Sequence, residues 1–207
     1  MNNFLTIEEL EECKTPIYIT SKSDTKDDSL SEKDLYLLPV SENQIVYNLD
    51  KVAKMIGNKY RKSKPTKSAD AFYASISSRE YFLIEFKNTC KNHMPKNELF
   101  IKAYDSMFLI QLIFNGKLSF DDLRKRLTYI VVYNNHAKQK ETSYIQDSPS
   151  ITGFADTLGM LAQENFRDIN KVHFNLDVYK DVFFKKIYTV DKVDFIEVLE
   201  PMIFEGI

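Results

Sequence analysis

Asp70, Glu85 and Lys87 are the residues of this chain whose types and spacing could do chemistry together. They lie in Ser68 to Asn88, where two apolar runs rich in aromatic and β-branched residues flank the polar Ser77-Ser78-Arg79-Glu80, the pattern of a β-hairpin over 69–76 and 81–87. Side chains alternate along a strand, so Tyr81, Leu83, Glu85 and Lys87 are expected on one face and Phe82, Ile84 and Phe86 on the other. In an antiparallel pair the start of the first strand lies beside the end of the second, which brings Asp70 to Glu85 and Lys87. Two carboxylates supply hard oxygen ligands for a magnesium ion while leaving positions for water and a phosphate oxygen. A lysine beside them can orient the nucleophile or steady developing negative charge.

With Asp70 as the first acid and Glu85-Phe86-Lys87 as an E-X-K element, the chain resembles the PD-(D/E)XK nuclease superfamily over roughly residues 48 to 135. The resemblance implies a restriction-endonuclease-like α/β fold, a central mixed sheet flanked by helices. It also implies a magnesium (or manganese) cofactor held by Asp70 and Glu85, Lys87 positioning the attacking water, and hydrolysis of phosphodiester bonds. Many members add an acid from the first helix, where this chain offers Asp50. Charged residues on one strand face are also what the solvated side of an antiparallel sheet looks like. Here, however, the flanks are apolar and a hydrophobic helix follows, the setting of an interior strand in which charges need partners.

That helix is expected over Glu98–Phe114, apolar on most of its circumference. Glu98, Lys102 and Asp105 fall on one stripe, with Ser106 beside it. The spacing suits an intrahelical ion pair on the one wet face; the family resemblance implies instead that the stripe turns Lys102 or Asp105 toward the active site. His93, in the polar connection before the helix, reads as a solvated loop residue within reach of the site. Asn134, Asn135 and His136 end the next strand.

Elsewhere the sequence predicts a short helix capped by Thr6, a strand at Pro16–Thr20, a polar loop over 21–34 and a strand at Leu35–Val40. A helix over Ile45–Ile56 follows, read from apolar residues at Ile45, Leu49, Val52, Ala53 and Ile56. After the hairpin come a helical turn at Asp121–Arg126 and a buried strand at Leu127–Tyr133, then a polar loop over 139–150 and a helix at Thr152–Ile169. A strand at Val182–Val190 and a final helix from Asp191 to Phe204, capped by Asp191, complete the chain. The expected organisation is one domain over 1–207. Within it, residues 1–47 form an acidic extension, 48–135 a nuclease-like core, and 136–207 a helix-strand-helix that completes it.

Charge is unevenly placed. Residues 1 to 50 hold eleven acids against four Lys or Arg, while the remainder holds nineteen against twenty-four. From Lys51 to Lys67 there are seven basic residues and no acid. Lys59, Arg61, Lys62, Lys64 and Lys67 could hold a phosphate backbone, remain a solvated loop, or pair with the acidic N-terminal part. Five glycines leave no glycine-rich phosphate loop, and Cys13 and Cys90 form no C-x-x-C pattern. The opening residues lack a basic, apolar signal peptide, and the longest apolar run is interrupted by Lys102, Asp105 and Gln111. A cytoplasmic protein is expected, with no membrane partner and with a homodimer available for cutting both strands of a duplex. The other function class is a catalytically inactive protein-binding module, of immunity or adaptor type, on the same scaffold.

Overall fold

A computed structural model describes residues 5–23, 35–60, 66–114, 116–135 and 169–204. The polar loops, the helix expected at Thr152–Ile169, His136, Arg61, Lys62 and Lys64 fall wholly or largely outside these residues.

The organising element is a six-stranded mixed sheet in the order β1-β2-β3-β4-β5-β6. Its strands are β1 (Lys14–Pro16), β2 (Ile45–Asn48), β3 (Ala71–Ser75), β4 (Glu80–Lys87), β5 (Leu127–Tyr133) and β6 (Lys186–Asp191), and the first four α-helices among the described residues are α1 (Ile7–Glu11), α2 (Ile17–Thr20), α3 (Leu49–Lys59) and α4 (Lys96–Ile113). Neighbours from β1 to β4 are antiparallel, and β4-β5 and β5-β6 are parallel. The hairpin β3-β4 closes through a four-residue turn in which Arg79 takes a left-handed φ of 55°. A parallel pair cannot be joined by a tight turn, so the chain leaves β4, crosses one face as helix α4 (Lys96–Ile113), and returns as β5.

Both faces of the sheet are covered. Leu83, Tyr129 and Val131 point to the face under α4 and α3 (Leu49–Lys59), where Leu99, Ala103, Met107, Leu49 and Val52 join them in one core. Phe82, Ile84, Phe86, Ile130 and Val132 point to the opposite face, against Phe195, Leu199 and Ile203 of the final helix (192–204). The alternation expected along β4 is the one observed. Every residue of β5 is buried, as its unbroken apolar run requires of a strand covered on both sides.

Three expectations are corrected. Ile45–Asn48 is strand rather than the first turn of a helix, pairing with β1 and β3, and the helix starts only at Leu49, where the Asn48 side chain accepts from the Lys51 N–H at 3.0 Å. Pro16–Thr20 is not a strand: β1 ends at Pro16 and Ile17–Thr20 is a single helical turn that buries Ile17. Leu35–Val40 forms no strand; only Tyr36 makes an isolated bridge, to Lys22, while Leu37 and Leu38 enter the core. The β-like composition there reflects burial, which a loop also achieves when its apolar residues face inward.

The cap foreseen at Thr6 is a reciprocal capping box with Glu9. Asp191 does more than cap. Its Oδ1 accepts from the Val193 N–H at 3.0 Å and its Oδ2 from the Asn135 N–H at 2.9 Å, so one carboxylate holds the start of the last helix to the end of β5. Asp191→Ala should therefore lower stability by about 1–2 kcal/mol, read from the urea midpoint. A loss below about 0.3 kcal/mol would show that neither bond matters.

Candidate functional site

The two strands of the hairpin continue their register past Ala71↔Ile84, which sets Asp70 across from Glu85. Asp70 is fastened on several sides. Its N–H donates to the Ile84 carbonyl at 3.1 Å, its carbonyl accepts from the Leu49 N–H at 3.2 Å, and its Oδ2 accepts from the Phe86 N–H at 2.6 Å. The two preceding residues are held as firmly: Ser68 Oγ donates to Asp50 Oδ1 at 2.6 Å, and the Ala69 N–H donates to Ser106 Oγ at 2.7 Å. Ser68 and Ser106 thus tie the entry of β3 to α3 and α4. Ser68 carries no signal of this in the sequence, whereas Ser106 falls beside the polar stripe of α4.

Helix α4 turns its polar stripe toward the sheet, so the expected wet-face ion pair is replaced by contacts with the hairpin. A helix presents residues four apart on one face, and at this site Glu98, Lys102 and Ser106 occupy that face. Lys102 Nζ lies 2.8 Å from Glu85 Oε1 and 3.4 Å from Asp70 Oδ1. Lys87 Nζ lies 3.0 Å from the same Glu85 oxygen and 3.1 Å from Glu98 Oε1. Asp105 sits at the rim, where it accepts a hydrogen bond from the Lys67 backbone.

Glu85 is fully buried, and its Oε2 has no hydrogen-bond partner among the described residues. Burying a carboxylate is costly unless it is paired, and this one is paired through one oxygen only. Burial and then the neighbouring Glu85 charge push the Asp70 carboxyl well above the ordinary carboxylate range. Burial raises Glu85 as well, against the opposing pull of Lys102 and Lys87. For both lysines burial works against the charge, but the carboxylates more than reverse it. Asp70 and Glu85 raise Lys102, and Glu85 raises Lys87. Glu98 is drawn below its usual range because the Lys87 ammonium outweighs its partial burial.

Asp50, Asp70, Glu85 and Glu98 surround Lys87 and Lys102, so the cluster formally carries two more negative than positive charges. Adding Asp105 and Lys67 at the rim leaves that surplus unchanged. Beneath the cluster lies Tyr129, fully buried, its hydroxyl 3.4 Å from the Leu99 carbonyl and its ionisation pushed well up by burial and then by Glu85.

These shifts fix the sign of an alkaline effect. Tyr129, Lys87 and Lys102 all keep their protons to higher pH when folded than when unfolded. Above the unfolded values, about 10 for Tyr and about 10.4 for Lys, the folded chain holds more protons than the unfolded one, and stability falls with rising pH. Between about pH 9.5 and about pH 11.5 the urea midpoint should decline. A midpoint that stays flat over that range would contradict the burial of these groups.

The basic strip is partly accounted for. Lys59 pairs with Glu9 at 2.7 Å, which joins α3 to the acidic N-terminal helix Ile7–Glu11, and Lys67 is exposed beside Asp105. Arg61, Lys62 and Lys64 lie outside the described residues. His93 is exposed in a short turn at Lys91–His93. Asn134 donates to the Asn88 side chain at 2.8 Å, at the ends of β5 and β4.

Among the described residues no three or more His, Cys, Asp or Glu side chains are grouped as a ready metal cage. The donor set on offer is the pair Asp70 and Glu85, whose oxygens already close on one cationic atom. Two carboxylates, one with a buried and unpartnered oxygen, are hard donors suited to magnesium or manganese completed by water. No helix among the described residues is long and apolar enough to cross a membrane. The chain matches no protein-family model, no curated protein and no solved structure.

Proposed function

We propose that the chain is a divalent-metal-dependent nuclease of the PD-(D/E)XK type with a restriction-endonuclease-like fold. The observation that carries the reading is the convergence of Asp70, Glu85 and Lys87 at one end of the β3-β4 hairpin, with Asp70 Oδ1 and Glu85 Oε1 both within reach of a single cation. The order of hairpin, crossover helix and parallel strand supports it. So does the placement of Asp50, from the first long helix, against Ser68 beside Asp70.

Asp70 and Glu85 would hold the ion. When bound, it lowers the pKa of a coordinated water and neutralises charge on the phosphoryl group. Lys87, steadied by Glu98 at 3.1 Å, would orient the water and offset charge developing on the phosphate. Lys67 and the residues preceding it would hold the sugar-phosphate backbone through its charge rather than its sequence.

The test is cleavage of mixed DNA and RNA substrates with magnesium or manganese, comparing the unmodified chain with Glu85→Ala. Ion-dependent cleavage abolished by Glu85→Ala is the expected result. No cleavage by the unmodified, folded chain, or cleavage that survives Glu85→Ala, would overturn it.

A second reading is a catalytically inactive protein-binding module on the same scaffold, favoured by a different observation. Tyr104, Phe108 and Phe120 are exposed on α4 and the helix after it. Beside them Phe100, Tyr104, Tyr179 and Phe183 line a cavity of about 350 Å³. Retention of a protein partner by Glu85→Ala, together with the absence of ion-dependent cleavage, would select it.

A further inference from the structure

The cation that already stands between Asp70 and Glu85 is the Lys102 ammonium. Among the described residues only Lys102 bridges the two candidate ligands, at 2.8 Å and 3.4 Å, whereas Lys87 reaches Glu85 and is drawn aside by Glu98. An ammonium and a divalent ion seek the same carboxylate oxygens, and two cations on that one pair of oxygens repel strongly in a partly buried site. Glu85 Oε2 is the difference between them. The lysine leaves that buried oxygen unpartnered, while an ion seated between the carboxylates has open positions for more oxygen ligands.

The fold also provides for the lysine's departure. Its α-carbon is fixed on a helix held by Ala103, Ser106 and Met107, but the ammonium rides on a four-carbon stem and its side chain is 15% exposed. Glu98 lies one turn before it and Asp105 one turn after, so two carboxylates of the same stripe can receive the displaced charge. Glu98 already feels the Lys102 charge.

We infer that Lys102 is a resident cation of the ion site, and that a divalent ion loads only as the Lys102 ammonium leaves Asp70 and Glu85. The inference rests on the metal-site reading and assigns that site its regulation. The ion-free chain keeps these carboxylates paired with the lysine, which lowers the apparent ion affinity by competing for the same oxygens.

The experiment is a manganese titration by calorimetry of the unmodified chain, Lys102→Gln and Lys102→Arg, with folding checked by circular dichroism. Lys102→Gln removes the competing charge and should bind manganese at least about tenfold more tightly, while Lys102→Arg should bind no more tightly than the unmodified chain. A second measurement needs no folded variant. In the unmodified chain labelled with ¹⁵N-lysine, one buried ammonium resonance should shift as magnesium is added, at the concentrations that saturate binding. Ion binding by the unmodified chain with no tighter binding by folded Lys102→Gln, or with an unmoved lysine signal, overturns this inference and leaves the metal site standing. No ion binding by any form removes the metal site and the inference together.

Discussion

Lys102→Met is expected to lower the unfolding free energy by about 3–5 kcal/mol, measured by urea unfolding of the ion-free chain. The side chain it replaces meets two carboxylates, of which Glu85 is fully buried. Methionine fills similar space, so little is lost in volume. What is lost is the charge that compensates Asp70 altogether and Glu85 in part, and removing one partner of a buried pair costs far more than never having buried it. A strong coupling between Lys102 and Glu85 is expected from the same pairing. In Glu85→Gln the remaining charges still pair, Lys102 with Asp70 and Lys87 with Glu98. The double variant should therefore be more stable than the sum of the two single losses by at least about 1 kcal/mol. A loss below about 1 kcal/mol for Lys102→Met, or simple additivity, would mean the carboxylates are not held by this lysine.

Lys87→Met should separate ion binding from chemistry. Lys87 touches Glu85 and Glu98 but not Asp70, and its removal leaves both carboxylates of the proposed ion site in place. Its proposed work is on the water and on charge that appears only as the phosphorus centre is attacked. The expected result is a fall of about 10²–10³ in the single-turnover cleavage rate, with manganese bound at least as tightly as by the unmodified chain. Loss of ion binding in Lys87→Met would make the lysine a structural counter-charge, and an unchanged rate would exclude it from the reaction.

Much of the sheet was legible because its strands obey simple patterns. The alternation of Tyr81, Leu83, Glu85 and Lys87 with Phe82, Ile84 and Phe86 specifies two buried faces, and both are found. The run Leu127–Tyr133 has no polar face beyond Thr128, and it lies at the interior of the sheet. Strand β2 was hidden because Ile45, Leu49, Val52 and Ile56 have helical spacing whether or not the first of them is helical. Its strand state is set by pairing with β1 and β3, which are remote in sequence. The Asn48 cap was the local signal that the helix begins one residue later.

The site was half legible for a related reason. Hairpin geometry alone brings Asp70 beside Glu85, so a chemical reading of three residues sufficed to locate it. The rotation of α4 could not be read in the same way. A helix apolar around most of its circumference has no unique inward face, and its one polar stripe could turn to water or to buried carboxylates. The decision lies with Glu85 and Asp70, whose charges need Lys102 more than Lys102 needs solvent.

Whether Asp70 and Glu85 form one ion site is decided by manganese titration of the unmodified chain beside Glu85→Ala. Saturable binding of manganese that is lost in a folded Glu85→Ala chain is the predicted result. Equal binding by the two proteins, or none by either while both remain folded, would contradict it and leave Glu85, Lys87 and Lys102 as a buried ion-pair network serving the fold.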